Sequence, residues 1–248
     1  MTAEIVVAGI ATAFVAATCQ SLTGFGFALV MTPIMALAWD AKAAVATSLI
    51  LSPVSVTLML PEVRGRVPLG RVAVLFLGFL IGLPAGAFLL RELDADALRA
   101  AIAAVVIVAA VLLNFAPTLT GTGDGFLPRL IAGIGSGTIG ASTSMSGPPL
   151  VLYLLPREPE VESFRATTLA LFLPTSLLSF AAAAIVGVVT TDVLVLAAAC
   201  VPAIVVGLWL GRAARGRLDP ERFRVLVLVV LVATGAGVLA SSAVRWLS

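Results

Sequence analysis

The chain has 248 residues, of which 60% are hydrophobic and only 11% are charged, and its mean hydropathy is +1.16. A soluble domain normally carries about 25% charged residues, so this composition excludes an ordinary soluble enzyme or binding domain. The formal net charge is +2 and the basic residues fall in short loops, which gives no basis for a nucleic-acid partner. The composition predicts one membrane domain over residues 1–248, with the lipid bilayer as its main surrounding.

Eight apolar stretches follow one another along the chain. Six have the length of a single transmembrane helix, and they cover approximately residues 43–60, 70–90, 97–115, 166–187, 192–211 and 224–244. The other two, residues 5–38 and 127–155, are too long for one crossing. A helix over the first of them would measure about 51 Å, whereas the hydrocarbon core of a bilayer is about 30 Å thick.

Both long stretches are interrupted by residues that disfavour helix. The first contains Thr23-Gly24-Phe25-Gly26, and the second is rich in glycine, serine, threonine and proline from Gly140 to Pro149. Irregular backbone at membrane depth is tolerated only where it faces protein or a water-filled cavity. We therefore predict that each long stretch is a helical hairpin that enters the membrane, unwinds and returns.

The two interruptions also indicate an internal duplication. Matches recur at slowly increasing offsets, which is typical of a duplication followed by loop insertions. Gly24 and Pro33 match Gly140 and Pro149 at 116 positions (140−24, 149−33), Ala46-Thr47-Ser48-Leu49 matches Ala166-Thr167-Thr168-Leu169 at 120 (166−46), and Gly82-x-x-x-Gly86 matches Gly207-x-x-x-Gly211 at 125 (207−82). The predicted repeats cover approximately residues 4–116 and 126–247, and each consists of a broken hairpin and three transmembrane helices. The two glycine pairs have the small-xxx-small spacing of close helix packing, which is the role predicted for them.

A unit of one hairpin and three spans crosses the membrane an odd number of times, so its duplicate should be inverted. Loop 61–71 has three basic residues and its counterpart 187–192 has none, whereas loop 91–99 has two and its counterpart 212–224 has five. The positive-inside rule then places the arginine-rich side in the cytoplasm and both termini outside. Eleven basic residues fall on the predicted cytoplasmic side, and four fall on the other: Lys42, Arg91, Arg99 and Arg245. Treating the long stretches as single spans gives 10 to 5, so the totals alone do not discriminate. The predicted fold class is an all-α polytopic membrane protein with two inverted repeats.

The residues at the interruptions suit a bound oxyanion. An unwound helix leaves backbone N–H groups free, the returning half-helix presents its positive dipole end, and glycine allows close approach of a ligand. Hydroxyl and amide side chains add donors, and the paired prolines suit the first turn of a returning helix. The candidate substrate-binding residues are Gln20, Ser21, Thr23, Gly24, Phe25, Gly26, Ser142, Thr143, Ser144, Ser146, Gly147, Pro149 and Arg165.

Each of these residues also has a structural interpretation. A serine or threonine in an apolar helix usually donates to the carbonyl one turn back. Arg165 is also explained as a cytoplasmic flank under the positive-inside rule, with ligand contact as the alternative. Phe25 is explained by packing, with gating as the alternative.

Three stretches resemble signatures of the TauE/SafE sulfite exporter family, and the resemblance extends over essentially the whole chain. The first runs from Gln20-Ser21-Leu22-Thr23-Gly24-Phe25-Gly26 to Pro33, the second from Gly133 to Leu155 with Ser146-Gly147-Pro148-Pro149, and the third is Phe164-Arg165-Ala166-Thr167. The resemblance implies export of sulfite or sulfonated small molecules across the inner membrane. Ser142, Thr143 and Ser144 stand where many relatives carry glycines, which leaves the exact anion open.

The predicted function is export of a small anion, sulfite or an organosulfonate, through a midplane site formed by the two broken helices. The chain has no histidine, and no acidic residue lies well inside an apolar stretch, so no proton-coupling residue is evident. An inside-negative potential drives anions outward by about 2.3 kcal/mol per charge per 100 mV, which makes uncoupled export sufficient.

Two other classes of function fit the sequence less well than transport. An intramembrane hydrolase would need a base beside Ser136 or Ser146, and the chain offers no histidine, so no enzymatic activity is expected. No cofactor or metal is expected. The alternative to a transporter is an anion channel or a non-transporting membrane subunit. The sequence leaves the oligomeric state open, and a homodimer is one option.

Overall fold

The computed structural model describes residues 2–62, 67–115, 125–158 and 160–214. Within these ranges the regular elements are all helices, which confirms the all-α class. Five helical stretches are long and apolar enough to cross a bilayer: Ala3–Thr23, Ala41–Glu62, Leu69–Glu92, Glu162–Ile185 and Thr191–Ala214. Large apolar side chains such as Phe88, Ile185 and Trp209 are more than 60% exposed on the outer surface, as expected where lipid is the solvent. The chain is a multi-pass membrane protein.

The first predicted interruption is confirmed. Helix α1 (Ala3–Thr23) ends at Gly24, and helix α2 (Phe27–Ala38) begins after Gly26. These two glycines have φ of 84° and 96°, a left-handed backbone that disfavours other residues. The first half continues with α3 (Ala41–Met59), a 3₁₀ turn (Leu60–Glu62), α4 (Leu69–Glu92) and α5 (Ala95–Phe115).

The second predicted interruption is also confirmed, and the break lies inside the stretch from Gly140 to Pro149. Helix α6 (Phe126–Thr143) includes Gly140, Ser142 and Thr143, and the helix is broken only at residues 144–146. Pro148 and Pro149 lie in the first turn of the next helix, as predicted. The second half continues with α7 (Gly147–Leu154), α8 (Val161–Ile185) and α9 (Thr191–Ala214).

This position of the break corrects the register of the predicted duplication. Ser144, at φ 65°, is left-handed directly after α6, just as Gly24 is directly after α1. The structural counterpart of Gly24 is therefore Ser144, at an offset of 120 (144−24). This offset equals that of the Ala46 and Ala166 segments (166−46), so one register describes both regions. The predicted eighth helix, 224–244, lies outside the described residues, as do the basic residues Arg64, Arg66, Arg215, Arg217, Arg222, Arg224 and Arg245.

Helix α7 folds back along α6, as expected of a hairpin. The Ser136 hydroxyl donates to the Ser146 carbonyl at 2.8 Å. A Cβ atom added to Gly135 would lie 3.6 Å from the Pro149 Cβ. In one straight helix, these last two residues would be about 21 Å apart. The chain therefore reverses direction at the second break.

A designed disulfide tests this reversal. In a chain with Cys19 and Cys200 replaced by alanine, the pair Gly135→Cys and Pro149→Cys should oxidise readily, because disulfides have Cβ separations of about 3.5–4.5 Å. The control pair Gly125→Cys and Gly135→Cys should keep both thiols, since ten helical residues separate them by about 15 Å. Counting free thiols after mild oxidation checks both outcomes, and two free thiols in the first pair would contradict the hairpin.

Glycines bring helices of the two halves into backbone contact. A Cβ added to Gly82 of α4 would lie 2.2 Å from the Ile134 carbonyl oxygen of α6, and one added to Gly207 of α9 would lie 2.5 Å from the Phe14 carbonyl oxygen of α1. Ile134 follows Phe14 by 120 positions (134−14), so equivalent surfaces meet in both contacts. The packing role predicted for the glycine pairs is confirmed. Each half thus packs its first helix against the other half, α1 on α9 and α6 on α4.

The two ends of the bundle have different polar contacts. At one end, here called the arginine end, Glu62 pairs with Arg165 and Arg212, and Arg71 pairs with Glu158 at 2.8 Å. At the other end, the Lys42 end, the Lys42 ammonium donates to the Arg91 carbonyl at 2.7 Å, and Arg99 donates to the Ala36 and Trp39 carbonyls. Helix α3 separates the ends, since Lys42 lies in its first turn and Glu62 follows its last.

These contacts fix the end from which each hairpin enters. Arg129, at the start of α6, donates to the hydroxyl of Tyr153, at the end of α7, so the second hairpin begins and finishes at the arginine end. Helix α2 finishes at the Lys42 end, where Arg99 binds its last carbonyls. Gly207 meets Phe14 and Gly211 meets Thr18, so α1 runs parallel to α9 and also starts at the Lys42 end. The two hairpins therefore enter from opposite ends.

Candidate functional site

A cavity lies between the two helix breaks, beside the central turns of α3 and α8. The first half lines it with Gln20 and residues 26–29, the second with residues 144–147, and the walls are Leu49, Ser52 and Val56 of α3 and Phe172, Ser176 and Ser179 of α8. The space open to the centre of a water molecule is ≈ 40 Å³. One water needs about 10–15 Å³ by this measure, so the cavity admits a ligand of a few heavy atoms.

Two hydroxyl groups of the cavity are available as donors. The hydroxyl groups of Ser146 and Ser179 have no hydrogen-bond partner among the described residues. The other serines use their single proton within the protein: Ser52 donates to the Ser48 carbonyl at 2.7 Å and Ser176 to the Leu173 carbonyl at 3.0 Å. The Ser144 hydroxyl is hydrogen-bonded to that of Thr32, which in turn donates to Ser48 at 2.8 Å.

The two breaks contribute different groups to the cavity. Helix α2 begins at the cavity, and the N–H groups of its first turn, from Phe27 to Leu29, have no acceptor within the helix. The first turn of α7 contains Pro148 and Pro149, which have no N–H. The prediction of amide donors at both returning half-helices therefore applies mainly to α2. The second break supplies hydroxyl groups instead.

Gln20 is the most buried polar side chain that lines the cavity from α1. Its side chain is 2% exposed, and its Oε1 atom has no hydrogen-bond partner in the described part of the protein. A buried amide oxygen without a partner costs about 1–3 kcal/mol. The Gln20 amide thus lies against the cavity with an oxygen that no described residue satisfies.

The structure brings together five of the residues that the sequence indicated. The residues that line the cavity are Gln20, Gly26, Ser144, Ser146 and Gly147. A Cβ added to Gly26 would meet nothing within 4 Å, so its left-handed backbone is what requires glycine there. These five come from both halves of the chain, which places the two predicted interruptions at one site.

Seven further candidates do not line the cavity and have structural contacts instead. Ser142 and Thr143 donate to carbonyls one turn back on α6, and Ser21 donates to the Leu208 carbonyl of α9 at 3.0 Å. Thr23 caps the first break, because its hydroxyl accepts from the Phe25 N–H at 3.2 Å. The remaining contacts are Gly24 against Arg165, Phe25 edge-on to Phe164, and Pro149 against Gly135.

Arg165, the last candidate, lies at the arginine end beside the first break. Its side chain is 3% exposed, and Nη2 is 3.4 Å from Glu62 Oε2. A Cβ added to Gly24 would lie 2.7 Å from the Arg165 Cγ, so the aliphatic part of this side chain covers the break. Arg165 does not line the cavity, and no charged side chain does among the described residues.

Sequence reasoning missed the polar residues that α3 and α8 contribute, namely Ser52, Ser176 and Ser179. Ser176 and Ser179 are three residues apart, a spacing that places both on one face of an apolar helix. This spacing was the available signal. That this face of α8 is directed at the cavity follows only from the position of α8 beside the two breaks.

Comparison with known proteins gives evidence on the family of the chain. The sequence profile described as "Sulfite exporter TauE/SafE" matches residues 9–238. A protein of Cupriavidus necator named "Probable sulfite/organosulfonate exporter TauE" is 26% identical over 235 residues, which cover 92% of this chain and 91% of that protein. No solved structure matches the chain. With a profile match over almost its whole length, the chain belongs to the TauE/SafE sulfite exporter family.

Proposed function

We propose that the protein exports a small sulfur oxyanion, sulfite or an organosulfonate, and binds it in the cavity between the two helix breaks. The observation that carries this proposal is that two hairpins entering from opposite ends line one cavity with unpartnered donors. Matched broken helices in two halves are the usual location of a transport site. The name of the Cupriavidus necator relative supports the same class of substrate.

Uncharged donors suit the task of an exporter. The first-turn amides of α2 and the hydroxyls of Ser146 and Ser179 replace the hydration of an anion without a fixed counter-ion. A cation buried in the cavity would hold an anion more tightly and slow its release. Because an inside-negative potential already supplies about 2.3 kcal/mol per charge per 100 mV, export requires no proton-coupling residue.

We further propose that the two halves are inverted repeats in the inner membrane, with the arginine end in the cytoplasm and the N-terminus outside. The opposed entry of the hairpins and the positive-inside rule support this orientation. In this arrangement the pairs α1–α9 and α4–α6 are the units that move relative to each other. Saturable counterflow of labelled sulfite in proteoliposomes would support alternating access, whereas single-channel currents would favour the channel alternative.

Removal of the two available hydroxyls tests the site. Ser146→Ala and Ser179→Ala should each weaken sulfite counterflow about tenfold or more, since a hydrogen bond to a charged group contributes about 1.5–3 kcal/mol. The control is Ser55→Ala, because Ser55 is buried on α3 but donates to the Ser52 carbonyl at 2.9 Å and does not line the cavity. Unchanged counterflow in both serine variants, with normal folding, would contradict the assignment of the cavity.

A further inference from the structure

We propose that Thr32 is a positioning residue for the transported anion. Its hydroxyl holds the second helix break at Ser144, so that the Ser146 hydroxyl is directed at an anion bound by the first-turn amides of α2. Thr32 does not line the cavity and acts through Ser144, which does. This role rests on the proposed export function and concerns the same cavity.

The first argument is the backbone of Ser144. Among the described residues it is the only one other than glycine with a positive φ, at 65°. The equivalent position in the first half is Gly24 (144−24 = 120), which has φ 84° and no side chain. A left-handed residue other than glycine is strained, and such residues persist where the surrounding structure holds them, often at functional sites. The serine side chain therefore contributes something to this break that glycine would not.

This contribution is a hydrogen bond between the two halves of the chain. Thr32 of α2 donates to the Ser48 hydroxyl of α3 at 2.8 Å. Because a hydroxyl has a single proton, Thr32 accepts its other hydrogen bond from Ser144. All three side chains are buried, and a hydrogen bond is electrostatically stronger there than in water. Since Ser144 has used its proton, it is an anchor of the break and not a donor to the anion.

The Ser144–Thr32 bond connects the two elements that supply donors to the cavity. Thr32 lies five residues, about 7.5 Å along the helix, after Phe27 at the start of α2. Ser146 follows Ser144 by two residues. The Ser146 carbonyl also accepts from Ser136, but that contact lies within one hairpin. The bond to Thr32 is the one that sets the Ser146 hydroxyl relative to the amides of α2.

The bond is not a feature that the two halves share. The residue 120 positions after Thr32 is Leu152 (152−32), and Gly24 has no side chain, so the first break cannot form the same bond. There the aliphatic part of Arg165 covers the break instead. A hairpin of this fold thus reverses direction without a hydroxyl at the break, which favours a role of the bond at the binding site.

Removal of the Thr32 hydroxyl tests the proposal. Thr32→Val keeps the shape of the side chain and should raise the sulfite concentration for half-maximal counterflow about tenfold, the loss of one hydrogen bond to a charged ligand. Thr32→Ser retains the hydroxyl and should restore most of the affinity. The control is Thr47→Val, because Thr47 is also buried but donates to the Ala43 carbonyl of its own helix at 2.8 Å and does not line the cavity.

Combination with Ser146→Ala distinguishes positioning from a general effect on the fold. If Thr32 acts through Ser146, the double variant should be little worse than Ser146→Ala alone, whereas two independent tenfold effects would multiply to about a hundredfold. Ser144→Gly removes the same bond and adopts the left-handed backbone without strain, so it provides the test if Thr32→Val does not fold. It should show the same loss of affinity and the same dependence on Ser146.

The outcomes separate this role from the proposed function. Unchanged half-saturation in folded Thr32→Val or Ser144→Gly, or effects that multiply with that of Ser146→Ala, would overturn the positioning role and leave sulfite export intact. Absence of sulfite counterflow in the unmodified protein would overturn the proposed function and the positioning role with it.

Discussion

Replacing Gly82 with alanine is expected to prevent assembly of the helix bundle, whereas the same substitution at Gly70 of the same helix is expected to be harmless. The added Cβ at position 82 would lie 2.2 Å from the Ile134 carbonyl oxygen and 2.9 Å from the Thr138 nitrogen. Both are backbone atoms of α6, so no side-chain rotation relieves the overlap. Overpacking a core typically costs about 1–3 kcal/mol, and separating two helices along their contact costs more. Folded proteins have only about 5–15 kcal/mol to lose.

The matched control makes this prediction specific. A Cβ added to Gly70 would meet nothing within 4 Å, and alanine is favoured over glycine in a helix by about 1 kcal/mol. Thermal unfolding and size-exclusion chromatography in detergent should therefore show Gly70→Ala at least as stable as the unmodified protein, and Gly82→Ala aggregated or unfolded. Gly207→Ala should behave like Gly82→Ala. Equal stability of the variants at positions 70 and 82 would contradict the α4–α6 contact.

Neutralising Glu62 is expected to destabilise the arginine end of the bundle by about 3 kcal/mol, the usual effect of breaking a buried ion pair. Glu62 follows α3 and binds Arg165 of α8 through one carboxylate oxygen and Arg212 of α9 through the other. Its side chain is 13% exposed, and that of Arg165 is 3% exposed. In Glu62→Gln the Arg165 guanidinium would remain in low-dielectric surroundings without this carboxylate. The first break should also loosen, because Arg165 covers Gly24.

A surface ion pair provides the comparison for this variant. Glu92 lies 3.4 Å from Arg91, and both side chains are more than half exposed. Glu92→Gln should therefore change the stability by less than about 1 kcal/mol. Chemical unfolding in detergent measures both variants, and chymotrypsin cleavage after Phe25 reports the loosening of the break. If Glu62→Gln were as stable as Glu92→Gln, the ion pairs of Glu62 with Arg165 and Arg212 would have no structural role.

The sequence predicted the helices and both interruptions because these depend on local composition. Long apolar stretches predict spans, and glycine with proline predicts breaks. At the breaks the register of the duplication was wrong by four residues, because it rested on the identity of Gly24 with Gly140 and of Pro33 with Pro149. In the structure the left-handed position of Gly24 is occupied by Ser144, while Gly140 lies in α6, where an added Cβ would be 2.7 Å from the Ser146 Cβ. The same residue type thus has different tasks in the two halves.

The walls of the cavity could not be read from the sequence for a different reason. Ser52 and Ser176 bond within their own helices, as do most hydroxyls of apolar helices, and the spacing of Ser176 and Ser179 is the only local signal for this wall. The hydroxyl contact between Thr32 and Ser144 joins residues 112 positions apart, and the ion pair between Glu62 and Arg165 joins residues 103 positions apart. Such contacts depend on how the halves cross, which only the assembled bundle defines.

Each half packs its first helix against the other half, and this arrangement constrains the order in which the protein can assemble. Because α1 packs on α9, the N-terminal helix leaves the ribosome long before the partner that covers its glycine contacts has been synthesised. It must remain in the lipid or beside the insertion machinery until most of the chain has followed. A ribosome that stops after α5 therefore releases a half-protein with two uncovered faces, a natural substrate for membrane proteases. Two halves produced as separate polypeptides in one cell would cover each other's faces.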